Sequence, residues 1–333
     1  MLLATDLPSD DDRRRVREVV PWGEHCAEIA GMMRATLDNG AVEIIEAQAG
    51  PGELRAALVT LYEATDVLLQ AAIEIGDSVV SEALFSRQVP RDPLRGGSEL
   101  EDAAQGRFPL RAARFELENA AVKVVSAGDH LVNVVLRTAW EANAATEEEL
   151  RWCGLDLKGR SGRPWSDATE FKKGLYQSAA GSGPVRQVLG HFVLVDALKT
   201  YVDRPSVREC RRYRNQIVHR ERPSYSEAIH FGRSSRWSPD GRFSASFPLR
   251  VDRTDVPTID AQRQIVSEAG QYTLELAERT ISVLVDLLKT LSVRVELATE
   301  LVTVSVDISE PRIPREARDP GQFILPRSDS TSP

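Results

Sequence analysis

The sequence predicts a mainly α-helical fold, a bundle of long antiparallel helices with one small β-hairpin. Apolar residues recur at three- and four-residue steps through most of the chain, the mark of helices that bury one face. Pro-, Gly- and Asn-Gly-containing segments fall between those runs and punctuate them. Partial alternation of apolar and polar residues around a turn signature is confined to one stretch near residue 240.

The first helical pattern covers Arg13–Leu37, interrupted at Pro21-Trp22-Gly23 and stopped by Asp38-Asn39-Gly40. Pro51-Gly52 opens a second, Glu53–Arg87, in which Leu54, Leu58, Leu61, Thr65, Leu68, Ala72 and Ile75 form the apolar stripe. Arg91–Pro109 holds Pro93, Gly96-Gly97 and Gly106 among charges and is expected to be a mobile surface loop. It separates an N-terminal helical region, 1–90, from a helical domain at 105–310. The N-terminal helices either extend that bundle or form a layer of their own. A long helix is expected over Leu110–Asn143, then a short one over Thr146–Cys153, where Thr146 and Glu149 have capping-box spacing. After a Gly/Arg loop, Gly154–Trp165, helices follow at 167–180, 184–202 and 206–220, with Arg204-Pro205-Ser206 placing a proline where a helix can begin.

Segments 227–237 and 242–252 flank Ser238-Pro239-Asp240-Gly241, and this predicts the hairpin at about 227–252. The final helix, about 258–300, carries Ala277, Ile281, Leu284, Leu288, Leu291, Val295, Ala298 and Val302 at alternating steps of four and three. This heptad seam suits packing inside the bundle or against a partner helix. Leu301–Ile308 alternates and reads equally as a strand, and the proline-rich tail, 311–333, is expected to be disordered.

Lys and Arg total 42 and Asp and Glu 50, so a net charge of -8 argues against a generally basic nucleic-acid binder. Any such contact must be local. Thirty-six of the cations are arginine, the side chain suited to bidentate phosphate contacts, although a genomic codon bias gives the same skew. Cys26, Cys153 and Cys210 are widely spaced and odd in number, so neither a disulfide framework nor a C-x-x-C site is formed. No secretory signal is evident at Met1–Arg15. The most apolar stretch, Ile281–Val306, is broken by five charged residues, so no membrane-spanning segment is expected and a cytoplasmic location is.

No phosphate-binding loop, H-E-x-x-H pair or G-x-S-x-G elbow is present, and no cofactor or metal is expected. One segment stands apart, 208–222, which packs Arg208, Arg211, Arg212, Arg214, Arg220 and Arg222 beside only two glutamates. It is a local positive field able to hold phosphates. Within it lies Arg214-Asn215-Gln216-Ile217-Val218-His219. An Arg and a His separated by four to six residues arise by chance about once or twice in this composition, and Arg186 with His191 is such a match. Because only five asparagines occur, the version with Asn after the Arg has a chance expectation of about 0.01.

On these residues the chain resembles the HEPN superfamily (higher eukaryotes and prokaryotes nucleotide-binding), whose ribonuclease members share R-x(4–6)-H on a helix of a compact bundle. The resemblance covers some fifteen residues sharply and the helical layout loosely. It implies a metal-independent endoribonuclease of toxin or antiviral-defence type, acting on RNA as a homodimer whose site forms where two copies of the motif helix meet. An antitoxin or defence partner would accompany it. The chemistry suits the residues: His219 can take a ribose 2′-hydroxyl proton, Arg214 can stabilise charge on the phosphate, and Asn215 can orient either. Arg212, with six residues between it and His219, is the other candidate arginine. Arg208, Arg211, Arg212, Arg220 and Arg222 would hold the RNA backbone. By the same resemblance Asp129, on a neighbouring helix, is a possible supporting acid.

One geometric difficulty is visible in advance. Residues five apart on a straight helix point about 140° away from one another, so Arg214 and His219 share a cleft only if the Arg arm wraps, the helix ends, or a second chain contributes. The contrasting reading is a non-catalytic helical scaffold that binds RNA, a nucleotide or a protein through the Arg-rich helix.

Overall fold

The computed structural model describes residues 8–42, 45, 53–88, 99–142, 144, 192–219, 235–237, 243–245 and 258–290. The described residues are mostly helical. The helices are α1 Asp10–Val19, α2 Gly23–Asp38, α3 Glu53–Gln88, α4 Glu99–Glu141, α5 Val193–Asp203, α6 Pro205–His219 and α7 Ile259–Thr290.

Local chemistry sets the ends of the first two helices. Ser9 caps α1 with a reciprocal pair: its Oγ accepts from the Asp12 amide at 3.2 Å and its own amide donates to Asp12 Oδ2 at 2.8 Å. Asp10, Asp11 and Asp12 in the first turn complement the helix dipole. Asp38-Asn39-Gly40 does stop α2, and Gly40 takes the left-handed conformation at φ 79° that a side chain would disfavour.

Helices α3 and α4 form the long antiparallel pair at the centre. Glu74 meets Lys123 at 2.7 Å, Ser81 donates to Glu116 at 3.0 Å, and Glu53 pairs with Arg137, so one helix descends as the other rises. Leu54, Leu61, Leu68 and Ile75 of α3 are buried against Leu117, Leu131 and Leu136 of α4. By length and composition Glu53–Leu84 could also cross a membrane, but the core helix of a soluble bundle passes the same test. Glu53–Leu84, rather than 281–306, is thus the stretch against which the expectation of no membrane-spanning segment is weighed.

The expected loop at 91–109 is corrected in part, because α4 begins at Glu99 and runs through Gly106 and Pro109. An interior proline costs about 3 kcal/mol, but Glu99, Glu101 and Asp102 suit a first turn and Ala103-Ala104-Gln105 are strong helix formers. Once α4 is anchored along α3, those preferences outweigh one break.

The N-terminal helices extend the bundle. A single hydrophobic cluster takes in Trp22 and Met33 of α2, Ile75, Leu131, Leu198 of α5, Tyr213 of α6, and Leu276 and Leu284 of α7. Trp22 lies over Gly270 so closely that a Cβ there would stand 2.3 Å from the ring, and its Nε1 donates to Ser267 Oγ at 3.1 Å. Gly128 likewise admits Tyr201, whose hydroxyl lies 3.2 Å from Thr273 Oγ1. The heptad seam resolves inward over its described part: Ala277, Ile281, Leu284 and Leu288 are all buried.

Of the hairpin expected at 227–252, the described residues are Ser235–Trp237 and Phe243–Ala245, which run antiparallel with Trp237 opposite Phe243. The connecting turn lies outside the described residues. So do the helices expected over 146–153 and 167–180, the Arg186/His191 pair, residues 291–310 and the tail 311–333.

Candidate nucleic-acid interface on helix α6

The short α5–α6 junction fixes how the Arg-rich helix is presented. Arg204 takes an extended conformation, ψ 129°, as a residue before proline must, and Pro205 opens α6 where its missing N–H is no loss. Val207, Cys210 and Tyr213 then face inward, and Ile217 packs at the edge of the core. Cys210 and Val207 border a small cavity with Val124, Val125, Tyr201, Arg211 and Ala269. Burial pushes the Cys210 thiol up to about 12, so it stays protonated at neutral pH and is no nucleophile.

That inward face sorts the arginines. Arg208, Arg212 and Asn215 are exposed. At about 100° per residue, positions 208, 212, 215 and 219 fall within a stripe about 60° wide on the outer side of the helix. The backbone at 219 belongs to that stripe, while the His219 side chain lies outside the described residues. The Arg212 side chain is 71% exposed and pairs loosely with Glu209, 3.7 Å away across one turn. Such an exposed pair is worth a few tenths of a kcal/mol and yields readily to a stronger anion.

Arg214 is placed differently. It is half-buried on the flank, its Nε buried with no hydrogen-bond partner, while Nη1 reaches round to Asn215 Oδ1 at 3.0 Å. The arm does wrap toward the outer stripe, and it ends on Asn215. A guanidinium only donates, so the Asn215 amide must turn its oxygen to Arg214 and its NH2 away.

Arg211 lies on the same flank and is half-buried, with the Tyr201 phenol as neighbour. Asp129, half-buried on α4, also acts on that phenol, opposing the effect of Arg211. The structure thus brings Asp129 and Arg211 to the inner flank of α6 and leaves Arg208, Arg212 and Asn215 on the outer stripe. Arg220 and Arg222 lie outside the described residues. Sequence reasoning missed Arg204, read only as punctuation. Its guanidinium stands over the Tyr272 ring, 4.5 Å from the centroid, and carries positive charge one turn further along the surface.

Among the described residues no group of three His, Cys, Asp or Glu side chains is placed to hold a metal ion. The described part of α6 therefore offers hydrogen-bond donors and positive charge, and with an imidazole at 219 a proton acceptor. Comparison with protein-family models, curated proteins and solved structures gave no match.

Proposed function

We propose that the protein is a HEPN-like, metal-independent endoribonuclease of toxin or antiviral-defence type, with α6 as its RNA-facing helix. The observation that carries the reading is Arg214-Asn215-x-x-x-His219 on a helix whose outer stripe displays Arg208, Arg212 and Asn215. His219 takes the proton from a ribose 2′-hydroxyl as general base. The 2′-oxygen bonds to phosphorus, the bond to the 5′-oxygen breaks, and that oxygen leaves with a proton from water. An arginine of α6 holds the phosphate as charge gathers on it, Arg214 by its place in the motif or Arg212 by its exposure.

The reading includes a homodimer in which two α6 helices face each other. The 140° between positions 214 and 219 is then bridged by two chains, each site drawing on both. It also includes a cytoplasmic location, where the substrate is, the hairpin after α6 as part of the 105–310 unit, and an antitoxin or defence partner that restrains the activity.

The test is incubation of the purified protein with total RNA in excess chelator, beside folded His219→Ala. Cleavage by the wild type alone, leaving 2′,3′-cyclic phosphate ends, is the expected result. A folded protein that binds RNA with a salt-dependent affinity, yet cleaves none with or without dimerisation, favours the scaffold reading instead.

A further inference from the structure

The geometry points to a division of labour within the motif itself: Arg212 is the arginine that contacts the phosphodiester, and Arg214 is a positioning residue that aims the Asn215 amide at the same group. This deepens the nuclease reading and rests on it.

Three observations carry the assignment. First, an arginine grips a phosphate through two parallel donors, either the Nε–Nη edge or the Nη–Nη end. In Arg214 the first edge is closed by burial of Nε, and the second is engaged by Nη1 on Asn215 Oδ1 at 3.0 Å. Second, Arg212 is the more open of the two. Its side chain is 71% exposed, and its ion pair within the described residues is a loose 3.7 Å contact of Nη1 with Glu209 that a phosphate can displace. Third, the stripe has the right phase. Position 219 follows Arg212 by seven residues, which returns it to within about 20° of the same direction, about 10.5 Å along the axis. Asn215 lies between them on that stripe, and position 214 does not.

The Arg214–Asn215 contact then has a definite consequence. A free asparagine on a helix surface turns its amide end for end. Here the guanidinium fixes the oxygen inward, so both N–H groups face the side where Arg212 and position 219 lie. The motif arginine thereby makes a neutral side chain into an oriented donor pair.

The test uses the full chain and a fluorescein-labelled 2′-O-methyl oligoribonucleotide, which can bind but cannot be cut. Affinity is followed by anisotropy from about 50 to about 200 mM KCl, where each single-strand phosphate contact contributes about -0.7 to the slope of log K against log salt. Arg212→Ala is expected to flatten that slope by about 0.7, the loss of one phosphate contact. Arg214→Ala should leave the slope unchanged and weaken binding by the same factor as Asn215→Ala, with the double variant no weaker than either single one. Arg214→Gln, which keeps a donor for Asn215, should restore most of the affinity, and it guards against a folding defect in the alanine variant. A slope flattened by Arg214→Ala as much as by Arg212→Ala overturns the assignment and leaves the nuclease reading intact. So does additivity between Arg214→Ala and Asn215→Ala. A wild-type protein that does not bind the oligonucleotide at all overturns the nuclease reading and this assignment together.

Discussion

The junction of α1, α3 and α7 and the outer face of α6 are both arginine sites, and they use the same side chain in opposite ways. At the junction Arg263 is 1% exposed, donates to Ser78 Oγ at 3.2 Å and to Glu82 at 2.9 Å, and pairs with Asp260. Arg15 of α1 reaches the same two acids, 3.5 Å from Glu82 and 3.3 Å from Asp260. On α6, Arg208 and Arg212 are exposed, with one glutamate within the turn. The difference lies in the supply of acid. Where carboxylates from its own helix and a second one converge, the guanidinium becomes a joint between helices. Where they do not, it remains a charge displayed to solvent. An arginine-rich acidic protein can therefore hold one positive surface without being basic overall.

The largest effect that separates the two regions is on stability. Arg263→Ala removes the centre of the junction and takes from buried Ser78 its guanidinium donor and from Glu82 the nearer of two arginines. Breaking a buried pair in this way costs about 3 kcal/mol. Arg212→Ala, at an exposed position, should change stability by less than about 0.5 kcal/mol. Chemical denaturation of the two variants makes the comparison directly. If Arg263→Ala unfolds at the wild-type midpoint, the junction is not the structural joint described.

A smaller effect lies further along α7, where it meets Trp22 at the start of α2. Gly270→Ala would drive a methyl into the Trp22 ring, with Cη2 at 2.8 Å as well as Cζ2 at 2.3 Å. Overpacking of this kind costs about 1–3 kcal/mol, against which the better helix propensity of alanine returns up to about 1 kcal/mol. Net destabilisation is expected, and it should vanish in a Trp22→Leu background, because a smaller side chain frees the space. A double-mutant cycle reads this coupling. Strict additivity of the two changes would mean that Trp22 does not occupy the Gly270 seat.

These cases also show what the sequence made legible. Punctuation and periodicity located the helices well where one strong local signal dominated: Asp38-Asn39-Gly40 ended α2, Arg204-Pro205-Ser206 opened α6, and the four-three seam of α7 turned inward. Local reasoning failed at Pro109, because anchoring of α4 along α3 is a tertiary effect that no window of residues contains. The site was half legible. Its motif and its charge density are written in 208–219, and the outer stripe follows from helical phase. That Arg214 would be tied to Asn215, and that Arg211 would share Tyr201 with Asp129, depends on how α5 and α4 pack against α6. The spacing separates Arg208 and Arg212 from Arg211 and Arg214 by helical phase, but it does not say which side chains Arg211 and Arg214 meet.

Between the two arginine environments lies an intermediate case, His25, and it supplies the smallest and most specific effect. Its Nε2 lies 2.6 Å from Glu278 of α7 and its Nδ1 3.3 Å from Glu28 of its own helix, so it joins two helices as Arg263 does, yet it stays more open to solvent than Arg15. The hydrogen bond to Glu278, with that to Glu28 behind it, holds the imidazole above its ordinary pKa. A pKa raised on folding means that the native state binds the proton more tightly. The stabilisation is therefore fully present below the unfolded value of about 6.5 and is lost as pH rises through the folded one. Solvent screening limits it to a few tenths of a kcal/mol. The stability difference between wild type and His25→Gln should be largest near about pH 5.5, where the glutamates are still ionised, and should fade by about pH 9. A difference that stays constant across that range would mean that the α2–α7 contact owes nothing to the charge on His25, and that burial, as at Arg263, is needed before charge can join helices in this protein.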